Sequence, residues 1–232
     1  MKKLITSTLL IASLFGFTVT AQAADYGVSL NWNTTDAEKV LDMMSEQRSA
    51  FNELIKSKEV KDMFLVESEI DGKPMGILRF VIQADNEKDV EEKLSGLPFY
   101  KENVVKIDDI KLLGGKWLDN TPVNKNYALM FEWNTDIDVM EMDRVIGIDL
   151  QRVVSLNSSG LVTSSYINTQ TVKDGSTRPT YSASIMAKDE AHAHELSQQF
   201  EAVSLGYAKV NVMYLGHKIN MAGLISLYKN FK

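Results

Sequence analysis

Apolar and polar residues alternate along the segment from Tyr26 to Trp32. Tyr26, Val28, Leu30 and Trp32 are separated by small or polar residues. A period of two over the eight residues 26–33 predicts a strand with one buried face. The same alternation and the same Trp-Asn-Thr ending return in residues 127–135, at an offset of 101. This recurrence indicates an internal repeat.

Three further landmarks recur in the same order, at offsets of 102 or 103. They are Asp71-Gly72 with Asp174-Gly175, Leu94-Ser95 with Leu196-Ser197, and Leu112–Lys116 with Tyr214–Lys218. Their order and nearly constant spacing predict two copies of one unit, at 24–117 and 127–218. A linker at 118–126 joins the copies, and 219–232 is predicted to be a helical tail.

Within each copy, the hydrophobic periods predict strand, helix, strand, strand, helix, strand. Thr35 with Glu38 reads as a capping box that starts the first helix, and Asp138 with Glu141 plays that part in the second copy. The Asp-Gly pairs predict hairpin turns. The resulting βαββαβ order is the ferredoxin-like arrangement.

The face of each predicted sheet that points away from its helices is also apolar and has to be buried against another part of the chain. In the third strand Leu78 and Phe80 lie on one side and Ile77 and Val81 on the other, so both sides are apolar. We therefore predict an α+β fold of two tandem ferredoxin-like repeats. They would pack sheet to sheet as an intrachain pseudo-dimeric α/β barrel.

The N-terminus has the order of a secretory signal. Lys2 and Lys3 precede an uncharged, mostly apolar run from Leu4 to Val19, and Ala21-Gln22-Ala23 follows. This order predicts a signal peptide at 1–23, with cleavage after Ala23. It places the protein in the periplasm or outside the cell, with no membrane attachment afterwards.

Composition narrows the class of partner. Without Lys2 and Lys3, 23 basic side chains stand against 31 acidic ones, a net charge of −8. An acidic surface argues against nucleic acid and against anionic membranes. The chain has no cysteine, which excludes disulfides and thiol chemistry. The oligomeric state is not predicted.

The segment Leu94–Tyr100, Leu-Ser-Gly-Leu-Pro-Phe-Tyr, leads into the predicted last strand from Val104 to Leu113. It resembles the Leu-Pro-aromatic turn before the last strand of muconolactone isomerase-like domains. With the element order and the paired copies, it points to the dimeric α/β-barrel superfamily. The resemblance implies the fold and supplies no catalytic residue, because one fold hosts many chemistries.

Six residues are candidates for ligand binding. Trp32 with Asn33, and Trp133 with Asn134, offer an indole beside an amide, although the same pairs would serve equally to pack and turn the chain. Arg79 lies between apolar neighbours, where it would pair with Glu67 or bind an anion. His217 ends the last strand and would be a lone ligand or base, or a surface residue.

No catalytic residue and no cofactor are predicted. His192 and His194 point to different sides of a helix, and no spacing matches a metal site. The methionines are spread over helices and strands, which favours a role in packing.

We therefore expect an exported periplasmic protein that binds a small apolar or aromatic molecule, without identified chemistry. One alternative is a cofactor-free isomerase or monooxygenase-like enzyme of the dimeric α/β-barrel superfamily. The other is an envelope interaction or stress protein. The sequence does not decide whether the protein is an enzyme.

Overall fold

A computed structural model describes residues 23–222 of the chain. The predicted signal peptide and most of the predicted C-terminal tail lie outside the described residues. The N-terminal half, residues 24–119, contains these elements in order: β1 (Ala24–Trp32), α1 (Ala37–Lys56), β2 (Val60–Ile70), β3 (Lys73–Ala84), α2 (Glu87–Ser95), α3 (Pro98–Lys101) and β4 (Val105–Asp119).

The C-terminal half, residues 125–218, has the same element order. It contains β5 (Lys125–Trp133), α4 (Val139–Ser158), β6 (Val162–Thr171), β7 (Thr177–Met186), α5 (Glu190–Ser197), α6 (Glu201–Ser204) and β8 (Ala208–Lys218). The predicted α+β class is confirmed. The connection between the halves is shorter than predicted, because β4 and β5 extend into the segment 118–126.

The eight strands form one closed antiparallel barrel in the order β1-β3-β2-β8-β5-β7-β6-β4. The sequence predicted contact between sheet faces; in the structure the two halves are joined through hydrogen bonds between strand edges. β4 pairs with β6, and β8 pairs with β2 through Phe64 with Lys218 and Leu65 with His217. Among the described residues, the N-terminal half has one apolar core cluster and the C-terminal half has two.

Glycines make both edge pairings possible. Gly114 has a φ of +87°, and a Cβ there would lie 2.1 Å from the carbonyl oxygen of Ile167. Gly216 has a φ of +96°, and its Cβ would lie 2.2 Å from the oxygen of Leu65. Only a residue without a Cβ fits this conformation and this approach. The repeated landmark at 112–116 and 214–218 therefore marks the two places where strand edges meet.

A buried charge cluster lies where the halves meet. Asp62 Oδ1 lies 3.1 Å from Lys116 Nζ and 3.0 Å from Lys218 Nζ, and Asp62 and Lys218 are almost fully buried. The Tyr166 hydroxyl donates to Asp62 Oδ2. Burial and the charge of Asp62 raise the pKa of Tyr166 well above its ordinary value. Lys218 also lies 2.8 Å from Asp119 Oδ1. These ion pairs and hydrogen bonds connect β2, β4, β6 and β8.

Helix starts differ from the prediction in one half. The N-cap of α1 is Asp36, which accepts from the backbone N–H of Lys39 at 2.9 Å, so the predicted Thr35 cap is wrong by one residue. Thr34 Oγ1 in turn accepts from the backbone N–H of Asp36. The Asp138 cap of α4 is confirmed.

The short helices α3 and α6 were not predicted. Their N-cap residues, Leu97 and Phe200, supply no capping side chain. Gln47 of α1 accepts instead from Phe99 N, and Asp149 of α4 accepts from Glu201 N and Ala202 N. These long-range caps replace the local signal that a sequence reading depends on.

Candidate functional site

A cavity of about 470 Å³ lies between α1 and the strands of the N-terminal half. Its volume is within the range of small-molecule pockets. Most of the lining is apolar, with a few polar side chains from α1. The lining residues are Leu30, Trp32, Met44, Gln47, Arg48, Phe51, Asn52, Ile55, Met63, Leu65, Gly76, Ile77, Leu78, Phe99, Val105 and Ile219.

Aromatic rings occupy two of the corresponding strand positions in the C-terminal half. Tyr26 pairs with Ile82 and Tyr127 with Ile185, so Leu78 and Tyr181 hold the same place in their strands. The Tyr181 ring lies 4.3 Å from that of Phe131, and its hydroxyl donates to Asp149 at 2.7 Å.

The corresponding residues of the N-terminal half are smaller. Leu78 replaces Tyr181, and Leu30, two residues before Trp32, replaces Phe131, two before Trp133. Two positions beside the cavity therefore carry leucine where the C-terminal half carries an aromatic ring.

Two buried amides and one exposed cation lie along the α1 side of the cavity. Gln47 is engaged with Phe99 N at 2.9 Å. Asn52 is 5% exposed, and its Oδ1 has no hydrogen-bond partner within the described part of the chain. Arg48 is exposed. An unpaired buried amide in an apolar cavity favours a ligand that can hydrogen-bond there.

The two tryptophans have different surroundings. Trp32 is half-buried, lines the cavity, and donates from Nε1 to Ser68 Oγ at 2.9 Å. Trp133 is 2% exposed and donates to the carbonyl of Pro179 at 3.0 Å. Of the two, Trp32 faces the cavity and Trp133 is packed into a core cluster.

Asn33 and Asn134 each donate a hydrogen bond to a backbone carbonyl just before the last strand of their half, β4 and β8 respectively. Asn33 Nδ2 donates to Asn103 O at 3.3 Å, and its backbone N–H donates to Val104 O. Asn134 Nδ2 donates to Gly206 O at 2.7 Å. Both amides lie outside the cavity lining, and their proposed role in ligand binding stays a prediction.

His217 lies beside the cavity. Its direct partner across the β2–β8 pairing is Leu65, which lines the cavity. Directly paired residues of antiparallel strands carry their side chains on the same face, with Cβ atoms about 4.5–5.5 Å apart. The register thus puts His217 one strand from the cavity, and Trp32 and His217 are the two predicted residues close to it.

Arg79 faces a different space, at the seam between the halves. The predicted pairing with Glu67 is wrong, because Glu67 lies opposite Gly76 and Arg79 opposite Phe64. Within the described residues, Arg79 has no carboxylate oxygen within ion-pair distance.

The sequence analysis missed Met44, Arg48, Asn52 and Met63. Met44 shares an apolar side of α1 with Val40, Phe51 and Ile55, but no local pattern in the sequence indicates a void. Along the described lining of this cavity, Arg48 is the one charged side chain, so no general acid or base is in place for proton transfer.

Residues 23–222 contain no candidate membrane-spanning helix and no candidate metal-binding cluster. No helix there is both long and apolar enough to span a bilayer. No three His, Asp or Glu side chains in that part of the chain come together in a group suited to a metal ion.

In sequence, the chain matches no protein-family model and no curated protein. Its fold does match solved structures. A heme-binding protein from Thermus thermophilus has a TM-score of 0.54 and 12% identity, over 88% of this chain and 94% of that one. A variant of chlorite dismutase from Candidatus Nitrospira defluvii has a TM-score of 0.55 and 10% identity, over 86% and 91%. A second variant of that dismutase has a TM-score of 0.52 and 10% identity, over 89% and 96%.

At these identities the likeness shows the fold alone. It also overturns the predicted function. A protein that binds a small apolar or aromatic molecule without identified chemistry is the wrong expectation for this chain. The solved structures that share its fold are a heme-binding protein and chlorite dismutases.

Proposed function

We propose that the cavity beside α1 binds a heme-type tetrapyrrole. The observation that carries the proposal is a largely apolar cavity of about 470 Å³ in a fold shared with a heme-binding protein. A flat macrocycle with an apolar body and acidic substituents needs an apolar slot with a cationic group near its mouth. This cavity provides the slot, and Arg48 provides the cation.

The polar lining residues fit the edge of such a ligand. An arginine pairs with a carboxylate through two parallel hydrogen bonds, so exposed Arg48 is suited to a propionate side chain. Asn52 offers a buried amide whose Oδ1 has no partner among the described residues. These groups would orient the ligand, and the apolar lining would exclude water.

The lining also contains soft donor atoms. Met44 and Met63 place thioethers in the cavity wall, and thioethers are among the axial ligands that proteins give to heme iron. His217, beside Leu65, is the nearest imidazole by strand register. A bound heme would supply a redox-active iron, and the protein would hold and shield it. Because the lining contains no acid or base, we propose binding or transfer of the group rather than proton-transfer catalysis.

The test is a titration of hemin into the purified protein, followed by its Soret absorbance. We expect saturable binding with a dissociation constant of about 1 µM or tighter. The double variant Leu30→Phe/Leu78→Tyr places in the cavity the two aromatic side chains that the C-terminal half has at the corresponding positions. It should weaken hemin binding at least about tenfold. Leu112→Tyr, at an exposed position, is the control and should bind as the wild type does. Absence of saturation, or equal affinity in the filled variant, would refute the proposal.

The iron ligand can be assigned separately. Met63→Leu and His217→Gln remove one donor each without changing the apolar wall. If Met63 ligates, the absorption spectrum of the bound heme changes in Met63→Leu and not in His217→Gln. The reverse result assigns His217. Unchanged spectra in both variants would leave Met44 as the thioether to replace.

We also propose that the two halves are tandem ferredoxin-like repeats that form an intrachain pseudo-dimer. The shared element order, the paired glycines Gly114 and Gly216, and the matched caps Gln47 and Asp149 support this. Expression of each half alone tests it: each should be poorly folded, and mixing the two should restore the structure.

Export remains a proposal on sequence grounds. The charged, apolar and Ala-x-Ala order of residues 1–23 supports cleavage after Ala23 and a periplasmic or secreted protein. N-terminal sequencing of protein from the periplasmic fraction should begin at Ala24, and an uncleaved Met1 would contradict it.

A further inference from the structure

A second, much smaller cavity lies inside the barrel at the seam of the two halves. Its volume is about 50 Å³, and residues from both halves line it. The polar and charged residues in the lining are Ser29, Arg79, Asp109, Lys111 and Ser182. It is separate from the cavity beside α1, with which it shares no lining residue.

Arg79 is the unusual member of this lining. Its Nη1 is buried and has no hydrogen-bond partner within the described part of the chain. Burial lowers the pKa of Arg79, and the charges of Asp108 and Tyr214 oppose that shift. An arginine stays protonated in proteins, so its buried donors need a partner.

The C-terminal half does not duplicate this cation. Arg79 lies three residues before Ile82, and Ser182 lies three before Ile185, so the two hold the same strand position. Both line the cavity. A serine in place of a second arginine avoids repulsion between like charges and adds a hydroxyl group.

We propose that the seam cavity binds one small monovalent anion, such as a halide or nitrate, through Arg79. Asp109 and Lys111 of the lining are exposed to solvent, so the half-buried Arg79 is the cation that an anion would meet inside the cavity, and its unpartnered Nη1 is the donor that the anion would satisfy. A cavity needs about 10–15 Å³ to hold one water, so a volume of about 50 Å³ admits a small ion. The hydroxyls of Ser29 and Ser182 are available as further donors. This inference does not depend on tetrapyrrole binding.

Anomalous diffraction from crystals of the wild-type protein grown in sodium bromide gives a direct test. We expect a bromide peak at hydrogen-bond distance from the Arg79 guanidinium. A peak absent from the cavity, with water or the Asp109 carboxylate on Arg79 instead, would overturn the proposal.

Thermal unfolding of heme-free protein tests the same site in solution. At constant ionic strength, replacing sodium gluconate by sodium chloride or nitrate should raise the wild-type Tm by about 2 °C or more. Arg79→Gln should lose most of this rise. Arg152→Gln, at an exposed position of α4, should keep it. An equal rise in all three proteins would contradict the site. If Arg79→Gln does not fold, the bromide experiment on the wild type decides.

Discussion

Replacement of Lys218 by methionine removes the one ammonium that joins β8 to β2, β4 and β6. Lys218 Nζ lies 3.0 Å from Asp62 Oδ1 and 2.8 Å from Asp119 Oδ1. It also donates to the carbonyl oxygens of Asn120 at 2.8 Å and Thr163 at 2.6 Å. Methionine is close to lysine in length and fills the space, so the change tests the charge and its hydrogen bonds rather than the volume.

The expected loss of stability depends on the partners that Asp62 and Asp119 keep in the variant. Asp62 is 1% exposed and would keep only Lys116 and the Tyr166 hydroxyl as partners. Removal of one partner from a buried ion pair costs about 3–5 kcal/mol, because the remaining charge stays desolvated. Asp119 is better placed, since its side chain is half exposed and water can replace the lost ammonium. We therefore expect Lys218→Met to lower the free energy of unfolding by about 3–5 kcal/mol.

Urea unfolding followed by tryptophan fluorescence measures this loss, with the m-value checked for a change in the denatured state. Lys209→Met, at an exposed position of the same strand, is the control and should change stability by no more than about 0.5 kcal/mol. A loss below about 1 kcal/mol in Lys218→Met would refute the reasoning that the cluster stabilises the barrel.

A second variant identifies the cause. Asp62→Asn should destabilise the wild type, but it should recover part of the stability of Lys218→Met by removing the uncompensated charge. The two changes should therefore couple by about 0.5–3 kcal/mol. Simple additivity would mean that the loss comes from packing.

Two further predictions concern β1 and β4. Gly114→Ala should lower the free energy of unfolding by about 2–4 kcal/mol, because its Cβ would meet the Ile167 carbonyl in a left-handed conformation. Gly115→Ala, where a Cβ meets nothing within 4 Å, is the adjacent control; equal losses in urea unfolding would contradict this account. Burial raises the pKa of Asp25 although the backbone N–H of Lys116 donates to it, so the folded state disfavours the ionised form. The resulting loss of stability is complete when the pH is above the pKa of Asp25 in the folded protein. It disappears when the pH is below the ordinary pKa of 3.8, because the carboxyl is then protonated in both states. Asp25→Asn should therefore be more stable than the wild type at pH 7, with the difference narrowing to nothing below about pH 4; a difference that grows in acid would refute it.

Short sequence patterns were enough to predict much of the fold. The alternation from Tyr26 to Trp32 and the Asp71-Gly72 turn lie in a strand and a hairpin as expected, because they depend on neighbouring residues. The helices α3 and α6 were missed because Gln47 and Asp149, about fifty residues away, cap them. The Thr35 cap was misplaced because Asp36 competes with it locally.

The candidate site was predicted less well. Trp32 was identified through its repeated Trp-Asn-Thr motif, yet its twin Trp133 is packed into a core, and the repeat gave no means to tell them apart. Trp133 packs with Met142, Val145 and Val172, whereas Trp32 lines the cavity beside α1. These contacts join residues far apart in the chain, so the motif alone does not distinguish the two tryptophans.

By itself, the sequence determined the strands, the long helices and the order of elements in each half, because hydrophobic periods and turn residues act over a few positions. The tertiary structure decided how the barrel closes, how Lys116 and Lys218 come to share the Asp62 carboxylate, and where the cavity beside α1 lies. Each of these depends on contacts between residues far apart in the chain. Volume and charge at such contacts are properties of the assembled fold, and no single segment encodes them.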